Sequence, residues 1–185
     1  MISDSSRNLI AMQFNLIHDS VRSLAYFRYI VTKKHDKTGW IYTKDVFAEH
    51  VIVSWAKVFG TYREQTHWSK LSAISEITTI TKPFETENIL SAVDMKIDEW
   101  NSYHSKMLTA RNEFFAHFDM RSMTLRFPEL EPALGAALAY RAWLSELLNA
   151  AISKGYLAIN KAVPNELLQR QFQDEAESAF RLSNP

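Results

Sequence analysis

Cysteine is absent from the 185 residues, which excludes disulfides and zinc–thiolate sites outright. Glycine occurs four times and proline five, a scarcity that argues against a β-rich or loop-rich protein. Neither sign of charge is in excess: 21 Lys and Arg balance 21 Asp and Glu, so no global basic field announces a nucleic-acid partner. Any contact with RNA must then come from a local pocket or from an assembled dimer. An uninterrupted membrane-length apolar run is missing too. The longest apolar region, Ala133 to Ile152, is broken by Arg141 and Glu146 and reads as a soluble helix rather than a membrane span. Met1 to Ser6 carry neither the basic nor the apolar segment of a secretory signal, so a cytoplasmic protein is expected. There is no glycine-rich phosphate loop, no His-Glu-x-x-His and no serine-nucleophile elbow. Conventional nucleotide hydrolysis and zinc peptidase chemistry therefore have no support.

What remains is a chain rich in core-forming residues, 46% hydrophobic and 12% aromatic, of a length that suits one domain with an appended tail. Asp4-Ser5-Ser6 opens a helix over 6–34, whose stripe Ile10, Phe14, Ile17, Val21, Leu24, with Val31 further along, steps by threes and fours. After the polar turn Asp36-Lys37-Thr38-Gly39, a second helix runs from Lys44 to Phe59, with Gly60 placed as a C-cap. Residues 61–85 read as a connecting excursion, in which Thr66 caps a short helix through Trp68, Leu71 and Ile74. One long helix is expected from Glu85 to Ala116, carrying Ile89, Val93, Ile97, Trp100, His104, Met107, Leu108, Arg111 and Phe115 on a single face. Met123 to Phe127 is expected to be extended. Glu131-Pro132 then starts a helix that Gly155 ends. A more polar helix over 165–181 carries Leu168, Phe172, Ala176 and Ala179 on a narrow stripe, suited to packing on the core or on a partner chain. The fold class is all-α, a bundle of four or more helices with an additional C-terminal helix.

The stretch with most chemical content is Arg111-Asn112-Glu113-Phe114-Phe115-Ala116-His117-Phe118-Asp119. An arginine can hold a phosphate through two parallel donors, and a histidine moves a proton near neutral pH. Arg111 continues the apolar stripe of its helix, where a guanidinium is costly unless it is paired or sits in a polar cleft. On an ideal helix Arg111 and His117 lie about 120° apart, so their convergence needs distortion at the helix end or a second subunit. The structural alternative pairs Arg111 with Asp119 or Glu113 and makes His117 a C-terminal cap.

This element resembles the Arg-polar-x(3–5)-His signature of HEPN domains, helical proteins of prokaryotic toxin and defence systems. Val53-Ser54-Trp55-Ala56-Lys57-Val58-Phe59-Gly60 and Thr66-His67-Trp68 extend the likeness to the AbiU2-like branch, related to an abortive-infection protein of phage defence. The resemblance covers roughly residues 8–155 and implies a HEPN-like domain over 1–160 with a helical extension over 161–185. It further implies a homodimer in which the Arg-His elements of two protomers face one cleft, acting on RNA as a metal-independent endoribonuclease with no cofactor. An antitoxin protein is a possible partner. Carried onto this chain, His117 acts as general base or acid, Arg111 holds the phosphate, and Asn112 positions it. Many members of the family are non-catalytic and serve as binding or scaffolding helices.

Other residues carry weaker readings. His104 lies two helical turns before Arg111, as an auxiliary substrate-binding residue or as a hydrogen-bonded core histidine. Glu64-Gln65-Thr66-His67 has the Glu-x-x-His spacing of carboxylate-bridged metal bundles, but those sites need two such motifs and the chain has one. Trp55, Trp68 and Trp100 could stack bases, though their apolar neighbours favour core packing. Asp94 and Asp98 share a face with charged neighbours and read as solvated surface.

Overall fold

The computed structural model describes residues 2–33, 38–116, 127–157 and 162–182. Among them are eight helices and no strand: α1 (Asp4–Thr32), α2 (Thr38–Phe59), α3 (Trp68–Ser72), α4 (Ser75–Thr78), α5 (Thr86–Val93), α6 (Ile97–Ala116), α7 (Glu131–Ser153) and α8 (Asn165–Leu182). The all-α bundle is the observed architecture.

α1 is the hub, packing against α2, α7 and α8. Its start is fixed by Ser3, whose side chain accepts from the Ser6 amide, and by Glu76, which accepts from the Ser3 amide and from both the Ser3 and Ser6 hydroxyls. The buried stripe Ile10, Ile17, Val21, Leu24 follows the expected helical steps, while Phe14 is partly buried and Val31, expected on the same face, is exposed. α2 is buried on nearly every side of its second half, with Val51, Ile52, Trp55, Ala56, Val58 and Phe59 all at or below 2% exposure. It begins at Thr38 rather than Lys44, about one and a half turns earlier than the apolar pattern predicts. The added turns carry exposed apolar side chains, Ile41 and Tyr42, which have no buried face to give a periodic signal.

The single helix expected from Glu85 to Ala116 is two helices. Asp94 adopts the left-handed conformation (φ 51°, ψ 48°), and the Met95 amide bonds back to the Leu90 carbonyl at 3.2 Å. The Lys96 amide then donates to Glu99 Oε2 at 2.8 Å, restarting the helix. The break redirects the chain, so that α5 packs on α7 while α6 packs on α2. Ile97, expected on the buried face, is exposed as a result. Gly135 permits the close approach of α5 to α7, since a Cβ there would lie 3.1 Å from Val93 Cγ1 and 3.3 Å from the Ala92 carbonyl oxygen.

α7 carries the opposite wall of the core, with Ala133, Ala136, Ala137, Tyr140, Leu144, Leu147 and Ala151 buried. Tyr103 of α6 caps its start: the phenol accepts from the Ala133 amide and donates to the Glu129 carbonyl. Gly155 ends α7 with a φ of 70°. α8 lies on α1 of the same chain. Its buried stripe is Leu168, Phe172, Ala176, Phe180, so Phe180 takes the place expected for Ala179, which is exposed. No helix among the described residues is long and apolar enough to cross a membrane.

Candidate functional site

α6 opens with Asp98 and Glu99 in its first turn, where acidic side chains complement the amide-rich end of a helix. Its buried stripe is Trp100, Tyr103, Met107, Ala110, in steps of three and four. Arg111 is the next residue after Ala110 and His104 the next after Tyr103, which puts both on the margin of that stripe rather than at its centre. Arg111 therefore lies at the edge of the core, with 22% of its side chain exposed, and does not point into it.

The guanidinium is held from two directions. Its Nε and Nη2 donate to Asn112 Oδ1 at 3.2 and 3.0 Å, while Nη1 faces Glu64 Oε1 at 3.4 Å. Asn112 itself is exposed. Among the described side chains the acidic partner is Glu64, 47 residues upstream. Of the partners expected from sequence, Asp119 and the Glu113 side chain lie outside the described residues. So does His117. The structure brings Arg111, Asn112 and His104 to one side of α6 and says nothing of the histidine that completes the element.

Glu64 reaches Arg111 because the turn between α2 and α3 is anchored at both ends. At its start, His104 Nε2 donates to the Phe59 carbonyl at 2.6 Å, with the Gly60 carbonyl at 3.2 Å. The ring sits beside Trp55 and Trp100, with centroids 5.8 and 6.3 Å away. That places His104 as the cap on the C-terminal carbonyls of α2, the core alternative raised by its position. Gly60 fits there because a Cβ would lie 2.1 Å from the Ala56 carbonyl oxygen. At the far end the fully buried Gln13 of α1 donates through Nε2 to the Thr66 and His67 carbonyls at 3.1 and 3.0 Å, and its Oε1 accepts from the Tyr140 hydroxyl at 2.8 Å. Three otherwise buried polar groups are satisfied at once. Gln13 carries no signal in the sequence beyond being a polar residue three after Ile10 on the α1 stripe.

Thr66 does not cap α3; its hydroxyl donates to the Lys57 carbonyl. The cap is His67, whose Nδ1 accepts from the Ser69 amide and bonds the Ser69 hydroxyl. Burial, with lesser contributions from His104 and Lys70, lowers the His67 pKa to about 4. Glu64 and His67 of the Glu-x-x-His spacing are thus engaged with Arg111 and Ser69. Among the described residues no group of three or more His, Cys, Asp or Glu side chains could hold a metal ion. Trp55 and Trp100 are core residues, and Trp68 is half-buried against Phe84. Asp94 is the left-handed residue that ends α5.

Among the described residues the arginine in the core is Arg141, 2% exposed in the middle of α7. Its Nη1 donates to Asn165 Oδ1 and its Nη2 to the Val163 carbonyl at 2.7 Å, and the guanidinium lies 5.2 Å from the centre of the Phe14 ring. It clasps the start of α8, aided by the Asn165 amide, which donates to the Leu138 carbonyl. The sequence shows Arg141 only as an interruption of an apolar run.

Comparison of the chain with protein-family models, with curated proteins and with solved structures finds no match.

Proposed function

We propose that this chain is a metal-independent endoribonuclease of the HEPN type, acting as a homodimer in the cytoplasm as a toxin-like or phage-defence effector. The observation that carries the reading is the setting of Arg111. It is a partly exposed guanidinium on the last turns of α6, oriented by Asn112 and followed six residues later by His117. In the proposed reaction His117 takes the proton of an RNA 2′-hydroxyl, whose oxygen attacks the adjacent phosphorus. Arg111 holds the non-bridging oxygens as charge builds on them. The bond to the 5′ oxygen breaks, that oxygen takes up a proton, and a 2′,3′-cyclic phosphate and a 5′-hydroxyl end are released. Loss of the general base costs about 10²–10⁴ in rate, and loss of the charge-stabilising donor about 10²–10³. Arg111→Ala should therefore lose cleavage by at least about 10² while keeping its fold and its dimer. Cleavage by wild type should persist in a chelator; a strict metal requirement contradicts the mechanism.

A second reading is favoured by the pairing of Arg111 with Glu64 and the commitment of His104 to backbone carbonyls. In it the chain is a non-catalytic HEPN module that binds a protein partner, such as an antitoxin, or nucleic acid. RNA affinity without cleavage, or a stable heterocomplex, distinguishes it.

A further inference from the structure

Glu64 stands where the proposed substrate would deliver its charge, and this rests on the reading of Arg111 as the phosphate-holding group. We propose that Glu64 is a built-in competitor for the RNA phosphate, a carboxylate latch that occupies Arg111 until the substrate displaces it. The geometry suits a latch better than a structural ion pair. The contact at 3.4 Å is long for a charge-assisted hydrogen bond, which typically measures about 2.7–2.9 Å. The two side chains are 22% and 38% exposed, so a dissolved anion reaches the guanidinium without opening the core. Asn112 holds the Nε and Nη2 donors, leaving Nη1 directed at Glu64. An incoming phosphate oxygen would meet the same Nη1 donor.

The carboxylate is nonetheless delivered by a fixed arm. His104 secures the carbonyls at the start of the turn and Gln13 those at its end, and the Glu64 amide bonds to the Thr61 carbonyl at 3.0 Å within it. A side chain on such an arm competes at high local concentration, without having to be recruited from solution. Partly exposed pairs of this kind are weak, so the latch sets a threshold for binding and does not block it.

The test uses the full-length chain and a fluorescein-labelled, fully 2′-O-methylated single-stranded oligoribonucleotide, which cannot be cleaved by 2′-hydroxyl attack. Affinity is measured by anisotropy for wild type, Glu64→Gln, Arg111→Ala and the double variant, with thermal melts to confirm folding. Glu64→Gln preserves the size of the side chain and should tighten binding about two- to five-fold, the range of a partly exposed pair. The same substitution should have no effect in the Arg111→Ala background, because the group it releases is gone. Equal tightening in both backgrounds, or none in either, overturns the latch: the first is only the loss of a negative charge. If Arg111→Ala alone leaves affinity unchanged, or if Glu64→Gln binds no RNA, the reading of Arg111 as the phosphate-holding group falls and the latch with it.

Discussion

Two arginines on successive helices have opposite fates, Arg111 at the edge of the core and Arg141 inside it, and the difference lies in what each guanidinium touches. Arg141 is buried, hydrogen-bonded to Asn165 and the Val163 carbonyl and within the field of Glu166, so removing it orphans the Val163 carbonyl and Asn165 and leaves a cavity beside Phe14. Arg141→Ala should cost about 2–4 kcal/mol of stability, read as a shifted urea midpoint. Arg111→Ala, which breaks only a partly exposed pair, should cost less than about 1 kcal/mol. If the costs came out reversed, Arg111 would be the structural residue. His67 supplies a pH signature. With its folded pKa near 4, below the ordinary 6.5, it stays neutral in the folded state while the unfolded chain takes a proton. Stability should then be full above about pH 6.5 and fall as the pH drops toward 4. Burial and Arg141 depress His18 in the same sense. His67→Asn, which retains an acceptor for the Ser69 amide, should flatten part of that slope in melting temperatures taken between pH 4 and 7. An unchanged slope would show that the imidazole is not what the fold keeps neutral.

At the scale of elements, the apolar periodicity carried most of what could be read. The stripe of α1 through Leu24, the proline-marked start of α7 and the Gly155 stop all follow from residue spacing and local sequence. The break between α5 and α6 does not, because Val93, Ile97 and Trp100 keep helical spacing across it while the chain turns at Asp94. A left-handed aspartate is a backbone event that side-chain pattern cannot register. Asp94→Gly should leave the fold unchanged and stabilise it by about 0.5–1 kcal/mol, whereas Asp94→Val should destabilise it by about 1–2 kcal/mol. Equal urea midpoints for the two variants would mean that Asp94 is not held in that conformation. The site was legible in part. Arg111 and Asn112 stand together on α6 as their adjacency requires, and the α2 C-terminus, the turn and His104 meet because Gly60 and His104 suit a helix end. The role of Glu64 was hidden, since a contact 47 residues long leaves no local trace.

For the whole molecule, the even balance of charge constrains how the proposed ribonuclease activity would have to work. With 21 cations against 21 anions, the chain has no net positive charge to attract a long nucleic acid, so the proposed RNA contacts would be few and concentrated near Arg111. A dimer that apposes two such elements doubles the local cationic charge without changing the composition, and sedimentation should accordingly give a particle of twice 21.4 kDa. A monomer that still cleaves RNA would show that one Arg-His element suffices. The central claim is tested most directly by incubating wild-type and His117→Ala protein with a mixed RNA pool in EDTA and mapping the ends produced. Fragments ending in 2′,3′-cyclic phosphate from wild type alone are predicted. Equal cleavage by both proteins, or cleavage that EDTA abolishes, would contradict it.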